Sequence, residues 1–271
     1  MTDRYAVIGN PIAHSLSPRL HAEFARQCGQ DIRYEAILAP ADGFADAVQA
    51  FRRAGGKGVN VTVPFKVAAL ELADRHSERA RMARAVNTLK FDDDGIFGDN
   101  TDGVGLVTDI RDRLGVDIDG RRVLVLGAGG AARGVVLPLL EAGASSLIIA
   151  NRTPERAVEL IAPYGVRAGL HAGGFGMLGK HEFDIVINAT SASLSDQGLP
   201  LPSGVFAAGS LAYDMVYGKG TTRFLADASA QGAALCCDGL GMLVAQAAES
   251  FRLWRGVMPD IAPVMAMMQH A

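Results

Sequence analysis

The sequence predicts an α/β fold with two domains, an N-terminal mixed, mostly parallel α/β substrate domain and a Rossmann-type dinucleotide-binding domain. Three observations support this prediction. Short apolar runs alternate with helical periodicities along the chain, which is typical of sheets with many parallel strands. A glycine-rich loop, 127–132, directly follows the apolar run 123–126. The 271 residues are 49% hydrophobic and 20% charged, as in globular proteins, and they suffice for two domains.

In the first part of the chain, turn signals separate each predicted strand from the next helix. The apolar run 5–9 ends at Gly9-Asn10-Pro11 and is predicted to be a strand followed by a turn. Ser17-Pro18 predicts a helix start with Ser17 as the N-cap and Pro18 at the first helical position. The other predicted elements are a strand at 33–38, a helix at 44–54, a strand at 58–63 and a hairpin of 86–91 and 95–98.

The second part of the chain contains another series of strands and helices. The predicted helices are 103–114, 133–142, 154–161, 223–231, 242–254 and 261–269, and the predicted strands are 123–126, 147–150, 184–188, 211–215 and 234–237. The best boundary lies near Asp102. We therefore predict a first domain at 1–101, with the C-terminal helices of 240–271 packing back on it, and a Rossmann domain at 102–239.

The charge balance is that of a mildly acidic protein. With 26 Lys and Arg against 29 Asp and Glu, the net charge is −3, so electrostatics give no reason to expect a nucleic-acid or anionic-membrane partner. The densest charged stretch, 75–84, mixes both signs and is predicted to be a solvated helix face. The N-terminal residues lack an apolar signal core and no run of 18 apolar residues occurs, so no membrane span is predicted.

The cysteines suit a reducing compartment. Cys28, Cys236 and Cys237 are odd in number and two of them are adjacent, which fits neither a disulfide framework nor the spacing of metal ligands. We therefore expect a cytoplasmic protein that binds no metal. The sequence does not distinguish a monomer from a homodimer.

The loop Gly127-Ala128-Gly129-Gly130-Ala131-Ala132 matches the GxGxxG/A pattern between a predicted strand and a predicted helix, the context that this pattern requires. Gly127 permits a tight turn, Gly129 lets the backbone approach a pyrophosphate, and Ala132 keeps the helix close to the sheet. Free N–H groups at the helix start attract the anion. A turn that merely reverses the chain is the alternative, and the flanking elements favour a dinucleotide site.

The residues after the next predicted strand favour NADP over NAD. An NAD site usually carries Asp or Glu at this point to bind the ribose 2′-hydroxyl, whereas this chain has Asn151-Arg152-Thr153, followed by Arg156. A guanidinium binds phosphate through two parallel hydrogen bonds, and a carboxylate would repel a 2′-phosphate. The alternative is that both arginines are ordinary surface cations.

Polar side chains accumulate in three stretches before the glycine loop, each after a predicted strand, where open α/β sheets bind ligands. The stretches are 14–18, 60–66, and 87–88 together with 99–103. They offer hydroxyls, an amide, an ammonium and carboxylates, which suit a polyol or a hydroxy acid. Taken alone, Ser17, Thr62 and Asp102 are equally compatible with capping or strand roles, and Lys66 with a surface position.

A series of short segments then occurs in a characteristic order. They are Val7-Ile8-Gly9-Asn10-Pro11, His14-Ser15-Leu16-Ser17-Pro18, Asn60-Val61-Thr62-Val63-Pro64-Phe65-Lys66, Ala85-Val86-Asn87-Thr88, Gly98-Asp99-Asn100-Thr101-Asp102-Gly103, the glycine loop, Asn151-Arg152-Thr153, Tyr213-Asp214-Met215-Val216-Tyr217, Asp238-Gly239-Leu240-Gly241-Met242-Leu243 and Gln246. In these segments the whole chain resembles the shikimate dehydrogenase family, which interconverts shikimate and 3-dehydroshikimate with NADP. No departure from the family pattern occurs in them.

The resemblance implies a role for individual residues. Lys66 and Asp102 would be the catalytic pair and would also contact the substrate, and Ser15 and Ser17 would bind the shikimate carboxylate. The residues that would hold the ring and its hydroxyls are Thr62, Asn87, Tyr217 and Gln246. The residues that would hold NADP are Gly127, Ala128, Gly129, Gly130, Ala131, Asn151, Arg152, Thr153, Arg156, Met215 and Gly239.

The resemblance also implies a mechanism, with the substrate held between the two domains. Lys66 would be the acid or base at the ring alcohol while Asp102 hydrogen-bonds the same oxygen. Whether Lys66 acts as an amine or as an ammonium stays open. A relative that also accepts quinate is the nearest alternative. A ligand-sensing relative without turnover is a second one, and the presence of both Lys66 and Asp102 favours an enzyme.

Overall fold

The computed structural model describes residues 2–195, 197–218 and 220–269. In these residues the strands are β1 (Asp3–Gly9), β2 (Ile32–Leu38), β3 (Gly56–Val61), β4 (Arg75–His76), β5 (Thr88–Asp92), β6 (Gly95–Asp99), β7 (Arg122–Leu126), β8 (Ser146–Ala150), β9 (Leu170–Gly173), β10 (Phe183–Asn188), β11 (Phe206–Asp214) and β12 (Leu235–Cys237).

The α-helices of the same residues are α1 (Ser17–Gln27), α2 (Phe44–Arg53), α3 (Lys66–Leu72), α4 (Glu78–Ala83), α5 (Asp102–Thr108), α6 (Gly130–Glu141), α7 (Pro154–Ile161), α8 (Arg223–Ala230), α9 (Leu240–Arg255) and α10 (Ile261–Gln269). A π-helical turn, Asp109–Arg113, continues α5. None of the helices in the described part of the chain has the length and hydropathy needed to cross a bilayer.

The chain forms two compact units, each with its own sheet. The first comprises the described residues up to Gly105 and from Leu243 onward, and the second is Leu106–Met242. Helices α5 and α9 each begin in one unit and end in the other. The α/β fold class predicted from the sequence is confirmed.

The first unit is built on a six-stranded sheet with the order β2-β1-β3-β5-β6-β4. Strand β1 is parallel to β2 and β3, and β4 is parallel to β6, whereas β5 is antiparallel to both of its neighbours. Buried apolar side chains that include Ile8, Val59 and Leu89 form its core. Because β1 and β3 are parallel, the segments that follow Gly9 and Val61 leave the sheet at the same edge.

The second unit contains an all-parallel sheet with the order β12-β11-β10-β7-β8-β9. This is the strand order of a Rossmann fold, and the direction of winding reverses between β7 and β10. Val123 and Val125 belong to one core cluster and Leu124 and Leu126 to another, so β7 is buried on both faces. Ligands of such sheets bind where the winding reverses, at the carboxyl ends of the strands.

Three short elements were not predicted from the sequence: β4, β9 and α3. Helix α3 has seven residues, too few to show a helical period, and β4 and β9 have only two and four. These elements form because the sheets offer them edges and faces to pack on, which a local pattern does not reveal.

The predicted N-cap at Ser17 is wrong by one position. Leu16 is the N-cap, with helical φ and ψ of −82° and −10°, and Ser17 is the first helical residue. No side chain caps the helix; instead the Ser17 backbone N–H donates to Ser15 Oγ at 3.3 Å. The chain is already helical at Leu16, so the Ser17 hydroxyl is not used to begin α1.

The prediction of a solvated helix face at 75–84 is wrong for Arg79. This side chain, on α4, donates from Nε to Asp99 Oδ1 at 2.7 Å and from Nη2 to Glu249 Oε1 at 2.9 Å. Burial acts to raise the pKa of Asp99, yet hydrogen bonds from Arg79 and Ser77 hold it below its ordinary value. Both carboxylates come from distant parts of the sequence, so the local charge pattern could not indicate the pairing.

Candidate active site

Two charged side chains meet in the first unit. Lys66 is the first residue of α3 and Asp102 the first residue of α5, and Lys66 Nζ lies 2.5 Å from Asp102 Oδ2. The side chains are only 16% and 7% exposed, so the pair is largely screened from water. A partly buried ammonium and carboxylate in contact can exchange or orient a proton on a third group placed beside them.

Asn87 fixes the other side of the Asp102 carboxylate. Its Nδ2 donates to Asp102 Oδ1 at 2.8 Å and to Thr101 Oγ1 at 2.9 Å. Its Oδ1 accepts the backbone N–H of Thr101, also at 2.9 Å. Each carboxylate oxygen therefore has a different donor, Lys66 on one side and Asn87 on the other, and the carboxylate is held in one orientation.

Gln246 brings α9 to the same cluster. Its Oε1 lies 3.4 Å from both Asn87 Nδ2 and Thr101 Oγ1, and its Nε2 donates to the Leu243 carbonyl at 2.9 Å. Gly105 on α5 permits this approach, because a Cβ there would lie 2.7 Å from the Gln246 backbone nitrogen. The structure therefore joins Lys66, Asn87, Asp102 and Gln246, four of the predicted site residues.

The hydroxyl residues lie on segments that leave the same sheet edge. Ser15 closes a turn through its backbone N–H to Ile12 O at 3.0 Å, and Ser17 is buried at the start of α1. Thr62 follows β3 and is half-buried. A Cβ added at Gly9 would lie 2.3 Å from Thr62 Cγ2, so the absence of a side chain at Gly9 lets the end of β1 pack closely against Thr62. No hydrogen bond joins these three hydroxyls to Lys66 or Asp102 in the described residues, and their part in binding stays a prediction.

In the second unit the glycine loop has the geometry that its sequence requires. Gly127 has a φ of +107°, which disfavours any residue with a side chain, and its N–H donates to Ala150 O at 2.8 Å. Gly129, extended and exposed, is the N-cap of α6, and a Cβ there would meet no atom within 4 Å. Ala132 is fully buried. The helix start at Gly130 is thus open to a ligand beside Gly129.

The residues after β8 place two cations on the surface of the second unit. Asn151 Nδ2 donates to Thr153 O at 2.8 Å, and Thr153 is the N-cap of α7. Arg152 and Arg156 are exposed, and neither guanidinium has an ion pair or hydrogen bond within residues 2–195, 197–218 and 220–269. Both are therefore available to an anion.

Met215 and Gly239 lie in contact in the second unit. A Cβ at Gly239 would be 2.4 Å from the Met215 carbonyl oxygen, and the Gly239 N–H donates to Val216 O at 3.2 Å. Tyr217 is half-buried, and burial raises the pKa of its hydroxyl. It is therefore a neutral donor at physiological pH. Its predicted role in substrate binding stays a prediction.

A buried carboxylate that the sequence interpretation passed over holds this turn. Asp214 is fully buried at the end of β11 and accepts from Ser193 Oγ and Thr222 Oγ1 at 2.6 Å each. Its other oxygen accepts from Asn188 Nδ2 at 3.2 Å and from the Val216 N–H at 3.1 Å. Asp214 stands inside the segment 213–217, but nothing in the sequence showed that its partners would be neutral donors.

The second unit passes a physical test of fit to NADP. The open face beside Gly129, at the start of α6, leaves room for a pyrophosphate, and helix N–H groups there favour an anion. Arg152 and Arg156 follow β8, the strand next to β7, where a Rossmann fold binds the adenosine ribose. Two exposed guanidinium groups at that point suit a 2′-phosphate.

Family models match three parts of the chain. One described as "Shikimate dehydrogenase substrate binding domain" matches residues 7–89, and one described as "Shikimate / quinate 5-dehydrogenase" matches residues 109–195. A third, described as "Shikimate 5'-dehydrogenase C-terminal domain", matches residues 239–268.

Known proteins match nearly the whole chain. A protein of Nitrosospira multiformis named shikimate dehydrogenase (NADP(+)) is 59% identical, covering 100% of this chain and 98% of that protein. The crystal structure of an Ael1 enzyme from Pseudomonas putida is 51% identical, with a TM-score of 0.92 over 98% of both chains. A shikimate 5-dehydrogenase from Thermus thermophilus, in complex with NADP(H) and shikimate, is 37% identical, with a TM-score of 0.87 over 99% of both chains.

Proposed function

The chain belongs to the shikimate dehydrogenase family, and on this premise we propose that Lys66 and Asp102 move and orient the proton in its reaction. The chain is an NADP-dependent oxidoreductase that interconverts shikimate and 3-dehydroshikimate. This reaction belongs to the biosynthesis of chorismate and the aromatic amino acids. The contact of 2.5 Å between Lys66 Nζ and Asp102 Oδ2 carries the proposal.

Oxidation of the shikimate alcohol removes a proton from oxygen and a hydride from the carbon that bears it. Bound NADP⁺, held by the glycine loop and the residues after β8, would supply the hydride acceptor. Lys66 as a neutral amine takes the hydroxyl proton, and in the reverse direction Lys66 as an ammonium returns a proton to the ketone oxygen. Asp102 accepts a hydrogen bond from the substrate hydroxyl and so holds that oxygen beside Lys66. Asn87 keeps the carboxylate in place.

The other side chains bind rather than react. We assign the substrate carboxylate to the hydroxyls of Ser15 and Ser17, which lie on the segment after β1. Thr62, Asn87, Gln246 and Tyr217 donate or accept at the ring hydroxyls. A site built from hydrogen-bonding groups rejects an analogue that lacks the matching hydroxyl, because its own polar groups would be left unpaired.

The second unit holds NADP in this proposal, and all the residues assigned to shikimate except Tyr217 belong to the first unit. The residues assigned to the pyrophosphate are Gly127, Ala128, Gly129, Gly130 and Ala131, and those assigned to the 2′-phosphate side are Asn151, Arg152, Thr153 and Arg156. Met215 and Gly239 line the cofactor elsewhere. We also propose a cytoplasmic location, supported by the three free thiols, and a monomer or a homodimer in solution.

The test is the formation of NADPH from shikimate, with quinate and NAD⁺ as the competing substrate and cofactor. We expect shikimate with NADP⁺ to give the highest kcat/KM of the four combinations. Lys66→Ala should largely abolish turnover while changing shikimate affinity only a few-fold, because the Lys66 amine acts on the transition state more than on binding. Lys57→Ala, an exposed lysine on β3, is the matched control. Near-normal turnover of Lys66→Ala would remove Lys66 from this role.

A further inference from the structure

Asn60 is a buried amide that the proposed function leaves without a role. It lies on β3, six positions before Lys66, and is 6% exposed. Its Nδ2 is within hydrogen-bonding distance of three oxygens: Ser250 Oγ at 3.0 Å, Thr88 Oγ1 at 3.1 Å and the Asn87 carbonyl at 3.3 Å. Such a concentration of buried polar atoms is costly unless every group is paired.

The surroundings determine which way the Asn60 amide points. The Asn87 carbonyl can only accept, so the NH₂ group of Asn60 must face it and Oδ1 must face the opposite side. On that side the Tyr34 hydroxyl lies 2.7 Å from Asn60 Oδ1. Burial raises the pKa of Tyr34 well above its ordinary value, although a hydrogen bond with Ser17 opposes the shift. Tyr34 is therefore protonated and donates to Asn60.

The oriented amide acts on Asn87 by two routes. Its NH₂ group faces the Asn87 main-chain carbonyl, which also accepts from the Val61 N–H at 2.7 Å. It also faces Thr88 Oγ1, which donates its own hydrogen to Asn87 Oδ1 at 2.9 Å. Both contacts leave the Asn87 NH₂ group directed at Asp102 Oδ1.

Ser250 closes the network from α9. Its hydroxyl is fully buried and lies 2.8 Å from Thr88 Oγ1 and 3.2 Å from Thr101 Oγ1. It donates at 3.0 Å to the main-chain carbonyl of Gln246, which lies one helical turn earlier on α9. Thus the network that starts at Tyr34 ends on the side chains that surround Asp102.

We propose that Asn60 is a positioning residue for the reaction, aimed by the Tyr34 hydroxyl, and that it holds Asn87 and thereby the Asp102 carboxylate in the reactive orientation. This inference rests on the proposed role of Asp102. Because Asn60 touches neither of the two charged groups, its contribution is to the orientation of the carboxylate, so the step that it affects is hydride and proton transfer.

The variant that tests the proposal is Tyr34→Phe, which removes only the hydroxyl and keeps the ring that stacks on His21 at 4.2 Å. Tyr5→Phe is the matched control: Tyr5 is buried in the same sheet and stacks on Trp254 at 4.7 Å, but its hydroxyl faces Arg255. Enzyme loaded with NADP⁺ is mixed rapidly with excess shikimate, and the first turnover is followed as the initial burst of NADPH absorbance. The amplitude reports active sites and the rate constant reports the chemical step.

We expect Tyr34→Phe to lower the rate constant about tenfold with an unchanged amplitude, since a buried acceptor left without its donor costs about that much. Tyr5→Phe should keep the rate constant of the unaltered chain. A normal rate constant in Tyr34→Phe, with or without a lower amplitude, would overturn the proposal, because a purely structural role alters only the amplitude. NADP⁺ binding, measured without shikimate, should be equal in all three proteins.

A second variant covers the case in which Tyr34→Phe does not fold. Ser250→Ala removes the α9 hydroxyl that lies 3.0 Å from Asn60 Nδ2. This variant too should lower the rate constant of the first turnover and leave its amplitude unchanged. Lys66→Ala, measured in parallel, separates this inference from the proposed function. If Lys66→Ala retains the first turnover, the proposed function fails. If it loses the first turnover while Tyr34→Phe and Ser250→Ala keep the normal rate constant, only the positioning role of Asn60 fails.

Discussion

Lys66 Nζ lies 2.5 Å from Asp102 Oδ2, while the second oxygen of the same carboxylate accepts from Asn87 at 2.8 Å. The carboxylate is thus placed between an ammonium and an amide, both of which donate. With side chains 16% and 7% exposed, Lys66 and Asp102 are screened from water but still reachable by a ligand. A proton shared with a third oxygen at this point would be held by groups that are already oriented.

Asp102→Asn should lower kcat by about 100-fold, the usual scale for loss of a positioned acid–base group. The amide has only one acceptor oxygen, so its NH₂ group must face either Lys66 or Asn87, and one of the two existing hydrogen bonds is lost whichever way it turns. Steady-state kinetics with shikimate and NADP⁺ provide the measurement. Asp94→Asn, an exposed residue between β5 and β6, serves as the control and should keep the original kcat.

Replacing Arg152 and Arg156 together with Gln should weaken NADP⁺ much more than NAD⁺. Only NADP carries the 2′-phosphate, and each guanidinium bound to phosphate contributes about 1.5–3 kcal/mol, so we expect the preference to fall at least tenfold. The ratio of kcat/KM values for the two cofactors is the readout. An unchanged ratio would refute the assignment of the phosphate to these arginines. Arg133→Gln, on α6 after the glycine loop, is the control. It should keep the preference for NADP⁺ if the preference depends on the two arginines and not on any nearby positive charge.

Gly129→Ala should separate cofactor binding from folding. A Cβ at Gly129 meets no protein atom within 4 Å and the backbone is extended, so the melting temperature should change little, with a capping cost of at most about 1 kcal/mol. The new methyl group occupies space that the pyrophosphate needs, and NADP⁺ affinity measured by calorimetry should fall at least tenfold.

Gly127→Ala is the contrasting variant. Its φ of +107° and the 3.0 Å distance from the added Cβ to Thr190 Cγ2 predict a lower melting temperature as well as weaker binding. If Gly129→Ala binds NADP⁺ normally, the pyrophosphate does not approach the backbone at Gly129.

His21 should make the first unit less stable in acid. Burial lowers its pKa to about 3, and neither ring nitrogen has a hydrogen-bond partner among the described residues. An unfolded histidine titrates near about 6.5, so below that pH the unfolded chain takes up a proton that the folded unit does not. Stability from this group is therefore complete above about 6.5 and decreases as the pH falls toward about 3, at about 1.4 kcal/mol per pH unit.

The measurement is the free energy of unfolding in urea between pH 8 and pH 5, followed by the fluorescence of Trp254, the one tryptophan of the chain. Its ring centroid lies 5.3 Å from that of His21, so it reports on this unit. His21→Phe should remove about 2 kcal/mol of the acid-dependent loss. His14→Gln, at an exposed position, should leave the slope unchanged. An equal slope in His21→Phe would show that other groups cause the loss.

Much of the fold could be predicted because its signals are local. The strand before the glycine loop, the hairpin of β5 and β6 and the last helix at Ile261–Gln269 all show their period or turn chemistry within a dozen residues. The elements that were missed, β4, β9 and α3, are two to seven residues long. An element of that length completes less than two helical turns or at most two strand repeats, so no pattern can distinguish it from a loop.

The candidate site was predictable only in part. The glycine loop and the two arginines after β8 could be interpreted from their chemistry, because each motif is contiguous. The roles of Lys66, Asp102, Ser15, Ser17 and the other binding residues came from resemblance to a family, and the roles themselves stay predictions. The pairing of Arg79 with Asp99 and Glu249 was missed, since its partners stand 20 and 170 positions away.

The sequence by itself determined the α/β class, most strands and helices, and the kind of cofactor, because hydrophobic period, turn residues and charge act over short stretches of chain. The tertiary structure alone decided that Lys66 meets Asp102 across 36 positions, and that Asn87 meets Gln246 across 159. Such contacts depend on how the sheet and α9 pack together, and this packing results from many small burial free energies of residues throughout the first unit. No short stretch of sequence determines the packing, so the hydrogen-bond partners of a buried amide such as Asn60 can be identified only in the folded chain.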